Sequence, residues 1–175
     1  MICVLTGPEC CGKTTLAEAL SKQLRWPVLP EIARAYLTQP AIDTAQGAYR
    51  YRPSDLIALV QAQGDLEDRT RTSDHCIADT DLLTLTIWWQ EKYGPVPALF
   101  NEAWLSQAPR FYLLCRPDLP WELVTLRENP QDRERLFGLY EQQLQRRGCQ
   151  YEICDGTGST RAKNALAAIK RKLDI

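Results

Sequence analysis

The feature that most constrains the fold is the segment 7–14, Gly-Pro-Glu-Cys-Cys-Gly-Lys-Thr, which matches the pattern G-x-x-x-x-G-K-[ST] at every fixed position. It follows an apolar run at 2–6 and precedes a helical stretch that begins near Thr14. In this order, a strand, a glycine-bounded loop and a helix N-terminus let backbone N–H groups surround an anion. A chance glycine turn would need neither the lysine nor the threonine. The pattern therefore predicts a site for a nucleoside triphosphate, which we take to be ATP.

Individual residues of this loop have expected roles. Lys13 is predicted as a catalytic cation that neutralises the β- and γ-phosphates, and the Thr14 hydroxyl as a ligand of Mg²⁺. Gly12 lets the backbone approach where a Cβ would collide. The predicted ATP-binding residues are Gly7, Pro8, Glu9, Cys10, Cys11, Gly12, Lys13, Thr14 and Thr15.

Length and charge narrow the classes of protein and partner. The chain has 175 residues and a formal net charge of −1, with no long block of one sign. We expect one domain, 1–175, whose partner is a small phosphorylated or nucleoside-like molecule and not a nucleic acid. No apolar run reaches the ~18 residues of a membrane span, and no secretion signal is evident. We expect a cytoplasmic protein without a membrane partner, and the oligomeric state stays open.

The seven cysteines are odd in number and include no C-x-x-C pair. Most of them lie in apolar runs, so we interpret them as core residues in a reducing compartment and predict no zinc site. Cys10 and Cys11 differ because they lie beside Lys13 and a helix N-terminus, both of which favour thiolate. We hypothesise that this pair is sensitive to oxidation.

Short apolar runs alternate with helical stretches, which predicts an α/β fold with a parallel sheet covered by helices on both faces. We expect five strands, near 2–6, 27–30, 75–79, 110–115 and 151–154. We expect helices near 13–25, 31–38, 54–72, 81–93, 97–107, 131–147 and 160–173. The polar segment 39–53 is predicted as a loop over the substrate side, either a lid or a connection without chemistry.

Acidic residues follow the third predicted strand. Asp79 ends that strand, where the carboxyl ends of parallel strands converge beside the phosphate loop, so it is predicted to organise Mg²⁺ and to be catalytic. Asp81 lies two residues later. It either shares this task or caps the helix that begins near Leu82.

Glu31 and Arg34 follow the second predicted strand and lie three residues apart on the first turn of a helix. This spacing places an acid and a base on one face at the mouth of the same crevice. Glu31 could accept the proton of an attacking hydroxyl while Arg34 orients the acceptor. The alternative is an ordinary surface ion pair.

Arginines on the segment after the fourth strand suit a lid that closes over ATP, with Arg127 and Arg133 predicted as catalytic and Arg135 as a weaker candidate. Local pairing with Glu128, Asp132 and Glu134 is the alternative. In the helix after Asp79, Trp88 or its neighbour Trp89 could stack on an acceptor ring, although packing in the core explains a helical aromatic equally well.

Several segments together resemble the NadR-type P-loop kinase family, the ribosylnicotinamide kinase domain of the NadR/Ttd14-like group. They are residues 7–16, Glu31-x-x-Arg34-x-Tyr36, the run 79–84 from Asp79, Tyr93-Gly94, the run 113–121, and Arg127 leading to Arg133. The resemblance covers nearly the whole chain. This chain departs from the family pattern at Cys10-Cys11, where the family usually has small hydroxyl residues. It also has Pro30 in place of the aromatic residue before Glu31.

The resemblance implies a three-layer P-loop NTPase fold of the nucleoside- and nucleotide-kinase type, with a lid at about 118–135. It implies transfer of the γ-phosphoryl group of MgATP to the 5′-hydroxyl of nicotinamide riboside, a step of NAD biosynthesis. The substrate-binding residues it implies are Glu31, Arg34, Tyr36, Asp81 and Trp88. Two other functions stay open: a kinase of another nucleoside or nucleotide, and an ATPase switch or binding module that has no small-molecule acceptor.

Overall fold

Five parallel strands form one sheet in the order β2-β3-β1-β4-β5. The computed structural model describes residues 1–37, 51–70, 75–121 and 131–174. The strands are β1 (Ile2–Thr6), β2 (Val28–Leu29), β3 (Cys76–Asp79), β4 (Arg110–Cys115) and β5 (Gln150–Cys154). Because β1 is central and covered on both faces, it is a continuous apolar run and not an alternating one. All five predicted strands are confirmed.

The helices are α1 (Lys13–Leu24), α2 (Ile32–Leu37), α3 (Pro53–Thr70), α4 (Leu82–Tyr93), α5 (Ala98–Ser106), α6 (Arg133–Arg146) and α7 (Gly158–Leu173). Each predicted helix is present, with ends shifted by at most two residues. Strand β2 is shorter than predicted because Pro30 has no N–H and cannot extend the ladder.

Successive strand residues project to opposite faces of the sheet and enter different cores. On one face, Cys3 and Leu5 of β1 pack with residues of α1 and α7 such as Leu20 and Ile169. On the other, Val4 packs with residues of α4 and α6. A third cluster joins α2, α3, α4 and α5. The result is the predicted three-layer arrangement, with helices on both sides of the sheet.

The topology brings the carboxyl ends of neighbouring strands together. The loop 7–12 leaves the end of β1, and Asp79 ends β3, which pairs directly with β1 in the register Leu5 to Asp79. Such an edge is where ligands bind in open α/β sheets. Within the described ranges, no helix has the length and apolarity needed to cross a membrane.

Candidate nucleotide and acceptor site

The loop after β1 depends on a glycine at each end. Gly7 has φ +134°, and a Cβ there would lie 2.6 Å from the carbonyl oxygen of Cys115. Gly12 has φ +73°, and its Cβ would lie 2.7 Å from Cδ1 of Leu119. Both glycines therefore provide a backbone conformation and a close approach that other residues would disturb. Between them, Cys10 adopts a left-handed conformation with φ +55°.

Lys13 is folded onto this loop. Its Nζ donates hydrogen bonds to the carbonyl oxygens of Gly7 and Pro8, at 2.9 and 2.7 Å. Burial alone would lower the pKa of Lys13, but the neighbouring Cys11 and the charges of Glu31 and Asp79 raise it above its usual value. The ammonium group therefore stays charged inside the loop, where an anion would be bound.

Thr14 and Asp79 are in direct contact. The Thr14 hydroxyl donates a hydrogen bond of 2.6 Å to Oδ2 of Asp79. The other carboxylate oxygen, Oδ1, is buried and has no hydrogen-bond partner among the described residues. Burial raises the pKa of Asp79, although the Thr14 hydrogen bond and the charge of Lys13 oppose this. A hydroxyl and an unpaired carboxylate oxygen on adjacent elements fit the oxygen ligands that Mg²⁺ prefers.

Glu31 and Arg34 form an ion pair at the start of α2. Arg34 donates to Glu31 Oε2 from Nη2 at 2.9 Å and from Nε at 3.2 Å. The Glu31 side chain is 16% exposed and that of Arg34 is 54% exposed. Glu31 follows β2, whose Leu29 pairs with Ala78, the residue before Asp79. Since β3 also pairs with β1, the sheet places Glu31 and Asp79 at neighbouring strand ends beside the loop that carries Lys13.

Asp81 lies outside the space that an acceptor could reach. It is the N-cap of α4, where Oδ1 accepts from the Leu83 amide at 3.0 Å. Its Oδ2 accepts from Tyr112 at 2.7 Å and from Arg110 at 3.1 Å. The side chain is fully buried. The geometry supports the capping alternative and does not support the acceptor-binding role, because both carboxylate oxygens are already occupied.

Part of the predicted lid contacts the phosphate loop. Arg133 donates from Nη1 to the carbonyl oxygens of Leu119, at 2.9 Å, and Cys10, at 3.5 Å. Its guanidinium lies 5.8 Å from the centre of the Trp121 ring. Arg127 belongs to the segment 122–130, which lies outside the described residues. Most of the predicted loop 39–53 also lies outside the described residues. Arg135 instead forms ion pairs with Asp132 and with a glutamate of α4. Its contact with Asp132 agrees with the alternative that the arginines of this segment pair with nearby acidic residues.

The predicted aromatic residues occupy the α2–α5 side of the molecule. Trp88 is half-buried and stacks on Tyr51, with ring centres 5.6 Å apart. Tyr36 is half-buried in the same cluster. Trp89 is buried and donates to the Pro95 carbonyl oxygen, so it packs in the core. Of the two tryptophans, Trp88 is therefore the one with surface left for a ligand.

Two buried residues near the loop escaped the sequence analysis. Arg161 of α7 donates to the carbonyl oxygens of Arg116 and Cys154 and pairs with Asp118 at 3.0 Å. Tyr140 of α6 lies within reach of the charge of Lys13, and burial raises its pKa to about 12. Neither residue belongs to a motif, because each approaches the loop from a distant helix. The one sequence signal is a charged or polar group on the apolar face of its helix.

A five-stranded parallel sheet with this loop after its central strand defines a P-loop α/β domain. The chain belongs to the family described as an AAA domain, whose model matches residues 2–163. The comparison with curated proteins gave no match.

Solved structures with the same fold include P-loop kinases. A NadR protein in complex with NR is 19% identical, with a TM-score of 0.75 over 97% of this chain and 50% of that one. A NadR protein with NAD and AMP-PNP is 20% identical, with a TM-score of 0.78 over 99% and 49%. Thymidylate kinase from Ehrlichia chaffeensis is 10% identical, with a TM-score of 0.65 over 97% and 98%.

A deoxyadenosine kinase from M. mycoides with bound products is 14% identical, with a TM-score of 0.64 over 98% of this chain and 100% of that one. These neighbours confirm the predicted fold class and the resemblance to NadR. At these identities the likeness concerns the fold. The chain spans about half the length of the NadR proteins it matches.

Proposed function

We propose that this chain is a MgATP-dependent kinase that phosphorylates a hydroxyl group of a nucleoside-like small molecule. The observation that carries the proposal is the order of strands β2, β3 and β1, because Glu31, Asp79 and Lys13 lie at or after the carboxyl ends of these three neighbouring strands. A phosphate loop alone is compatible with an ATPase switch. A carboxylate beside the loop, in addition to the one that contacts Thr14, is what an acceptor hydroxyl requires.

The phosphate loop would bind ATP, the phosphoryl donor. Backbone N–H groups of residues 7–15 would hold the phosphates of ATP, with Lys13 turning from the loop carbonyls to the β- and γ-phosphates. Thr14 and Asp79 would hold Mg²⁺, which when bound neutralises charge on the phosphate oxygens. Catalysis then consists mostly of positioning and electrostatic stabilisation.

Residues at the start of α2 and in α4 would bind the molecule that accepts the phosphoryl group. Glu31 would take the proton of the attacking hydroxyl, and Arg34 would hold the Glu31 carboxylate in place or orient the acceptor. Tyr36 and Trp88 would pack against a planar ring of the acceptor. Arg133, together with Arg127, would stabilise the transferred phosphoryl group as a lid of about 118–135 that closes over the single domain.

Nicotinamide riboside is our best candidate acceptor, with nicotinamide mononucleotide as the product and a role in NAD biosynthesis. It is supported by the family resemblance and by the NadR neighbour that binds NR. We propose that the enzyme acts in the cytoplasm, because all seven of its cysteines are free thiols. Another nucleoside or a nucleotide is the alternative acceptor, since a deoxyadenosine kinase and a thymidylate kinase share the fold.

The decisive experiment measures ADP release from MgATP with a panel of nucleosides and nucleotides, led by nicotinamide riboside. One acceptor that stimulates ADP release identifies the substrate. A slow rate that no acceptor changes contradicts the kinase proposal and supports a switch. Glu31→Gln should retain ATP binding and lose about 10²- to 10⁴-fold in turnover, because it removes the proton acceptor. The exposed Glu18→Gln in α1 is the matched control, with an expected normal rate.

A further inference from the structure

One buried arginine connects separate segments at the edge of the phosphate loop. Arg161 lies in the first turn of α7 and is 3% exposed. Its Nη2 donates hydrogen bonds to the carbonyl oxygen of Arg116, at 2.7 Å, and to that of Cys154, at 2.9 Å. Arg116 follows β4, and Cys154 ends β5. The guanidinium group therefore joins the carboxyl ends of two neighbouring strands on one side of the loop.

The same arginine fixes a segment that packs on the loop. Its Nη1 lies 3.0 Å from Oδ1 of Asp118 in an ion pair. The other carboxylate oxygen, Oδ2, accepts a hydrogen bond of 2.7 Å from the Gly156 amide. The next residue, Leu119, packs against Gly12, because a Cβ built on this glycine would lie 2.7 Å from Cδ1 of the leucine. The ion pair therefore helps to set where Leu119 meets Gly12.

Arg161 also places a positive charge close to the loop. Its Nη1 would lie 3.9 Å from a Cβ built on Gly12. Among the described residues, Nη1 and Nε have no hydrogen-bond partner, although both are buried. A buried charge is costly unless an opposite charge compensates it, and the Asp118 carboxylate that pairs with Arg161 is 25% exposed. An anion in the loop would add a second negative charge near the guanidinium group, and the attraction would be mutual.

We propose that Arg161 is a positioning residue of the nucleotide site, which holds the phosphate loop in its anion-binding shape and adds a buried positive charge beside it. Lys13 differs in that its ammonium group lies within the loop and would contact the phosphates directly. Arg161 acts from outside the loop, through Asp118 and Leu119 and through its electric field. Salt screens the field of a buried charge less than that of a surface charge. The effect on binding rests on the proposed function, whereas the effect on the loop needs no nucleotide.

The first experiment measures the loop without nucleotide. Arg161→Met removes the ion pair and both hydrogen bonds but keeps a long apolar side chain. Hydrogen–deuterium exchange with mass spectrometry should show about tenfold faster exchange of the amides of 7–15, because the segment that packs on Gly12 is released. Arg110→Met, which also removes a buried arginine, is the matched control and should not raise the exchange of 7–15 selectively. Unchanged exchange in 7–15, or faster exchange that is uniform along the chain, would overturn the positioning role.

The second experiment uses the sign of a charge effect. Asp118→Asn keeps an oxygen that can accept from the Gly156 amide and removes the negative charge. Calorimetry should show that this variant binds Mg²⁺ and AMP-PNP about threefold to tenfold more tightly, while its melting temperature falls because Arg161 loses its counter-ion. Glu152→Gln changes the net charge equally, but its carboxylate pairs with Arg171 at the surface, so the affinity should not change. Equal or weaker binding by Asp118→Asn would refute the electrostatic effect.

A conservative variant separates the charge from the structural contacts. Arg161→Met should bind Mg²⁺ and AMP-PNP about tenfold more weakly, and Arg161→Lys should recover part of this loss, because it keeps the charge but not the planar fork. Equal affinities of the two variants would contradict the electrostatic effect. If the unchanged protein binds no nucleotide, the proposed function fails, and the exchange rates alone decide whether Arg161 positions the loop. If it binds nucleotide and the variants match their controls, this inference fails and the proposed function stands.

Discussion

The two glycines of the phosphate loop should differ in their tolerance of alanine, although both stand in the same motif. At Gly7, φ is +134° and the new Cβ meets a carbonyl oxygen of β4 at 2.6 Å. Backbone strain of this kind costs about 1–3 kcal/mol, and overpacking adds about 1–3 kcal/mol. The carbonyl belongs to Cys115, at the end of a strand in the sheet, and cannot rotate away. We expect Gly7→Ala to lower the free energy of unfolding by about 3 kcal/mol or more.

At Gly12, the new Cβ meets the end of a flexible side chain, Cδ1 of Leu119, at 2.7 Å. The leucine can change rotamer, so the remaining cost is the left-handed backbone, about 1 kcal/mol. The two variants should therefore differ by about 2 kcal/mol, which corresponds to about 4–8 °C in melting temperature for a chain of this size. Thermal unfolding followed by circular dichroism measures this difference directly.

Gly138→Ala is the matched control, because this glycine lies in α6 with open space around its Cβ position. It should raise the free energy of unfolding by about 0.5–1 kcal/mol, since alanine favours a helix. In a Leu119→Ala background, the cost of Gly12→Ala should stay at about 1 kcal/mol, because the left-handed backbone conformation remains, and the cost of Gly7→Ala should not change. Equal melting temperatures for Gly7→Ala and Gly12→Ala would refute the reasoning from backbone contact.

Three further changes separate binding from stability. Lys13→Ala should abolish binding of MgATP in calorimetry, whereas the exposed Lys22→Ala should bind normally. Asp79→Asn should abolish the Mg²⁺ dependence of nucleotide binding without lowering the melting temperature. Burial raises the pKa of Asp79, so ionisation of this carboxyl group lowers the stability of the fold as pH rises. An uncharged amide at this position removes that destabilisation. Arg110→Leu should lower the free energy of unfolding in urea by about 3–5 kcal/mol, because it removes the cation that neutralises the buried carboxylates of Glu67 and Asp81. A change below ~1 kcal/mol would contradict this reasoning.

The elements of the fold were predictable because each has a local signal. The central strand is an apolar run followed by the phosphate loop, and α4 is preceded by Asp81, whose side chain can cap a helix. The contact between Thr14 and Asp79 was predictable as well, since parallel strands bring their carboxyl ends together. These predictions needed only the order of elements along the chain.

Contacts between distant elements were not predictable from local patterns. Whether Asp81 faces the site or the core depends on Arg110 and Tyr112, which belong to another strand. The approach of Arg161 to the loop depends on the packing of α7 against the ends of β4 and β5. Spacing along one helix placed Glu31 beside Arg34, and the alternation of strands and helices placed both at the crevice, but neither pattern predicts the distances from these side chains to Lys13.

The hydrogen bonds of Lys13 to its own loop have a consequence for how fast and how tightly a ligand can bind. Because the ammonium group donates to two main-chain carbonyls at the start of the loop, Lys13 joins the two ends of the loop. These hydrogen bonds restrict the conformations of the loop, so under the proposed function the binding of a triphosphate would need little further ordering of the loop. Association should then be limited by diffusion and by exchange of one set of lysine contacts for another, and not by a search among loop conformations.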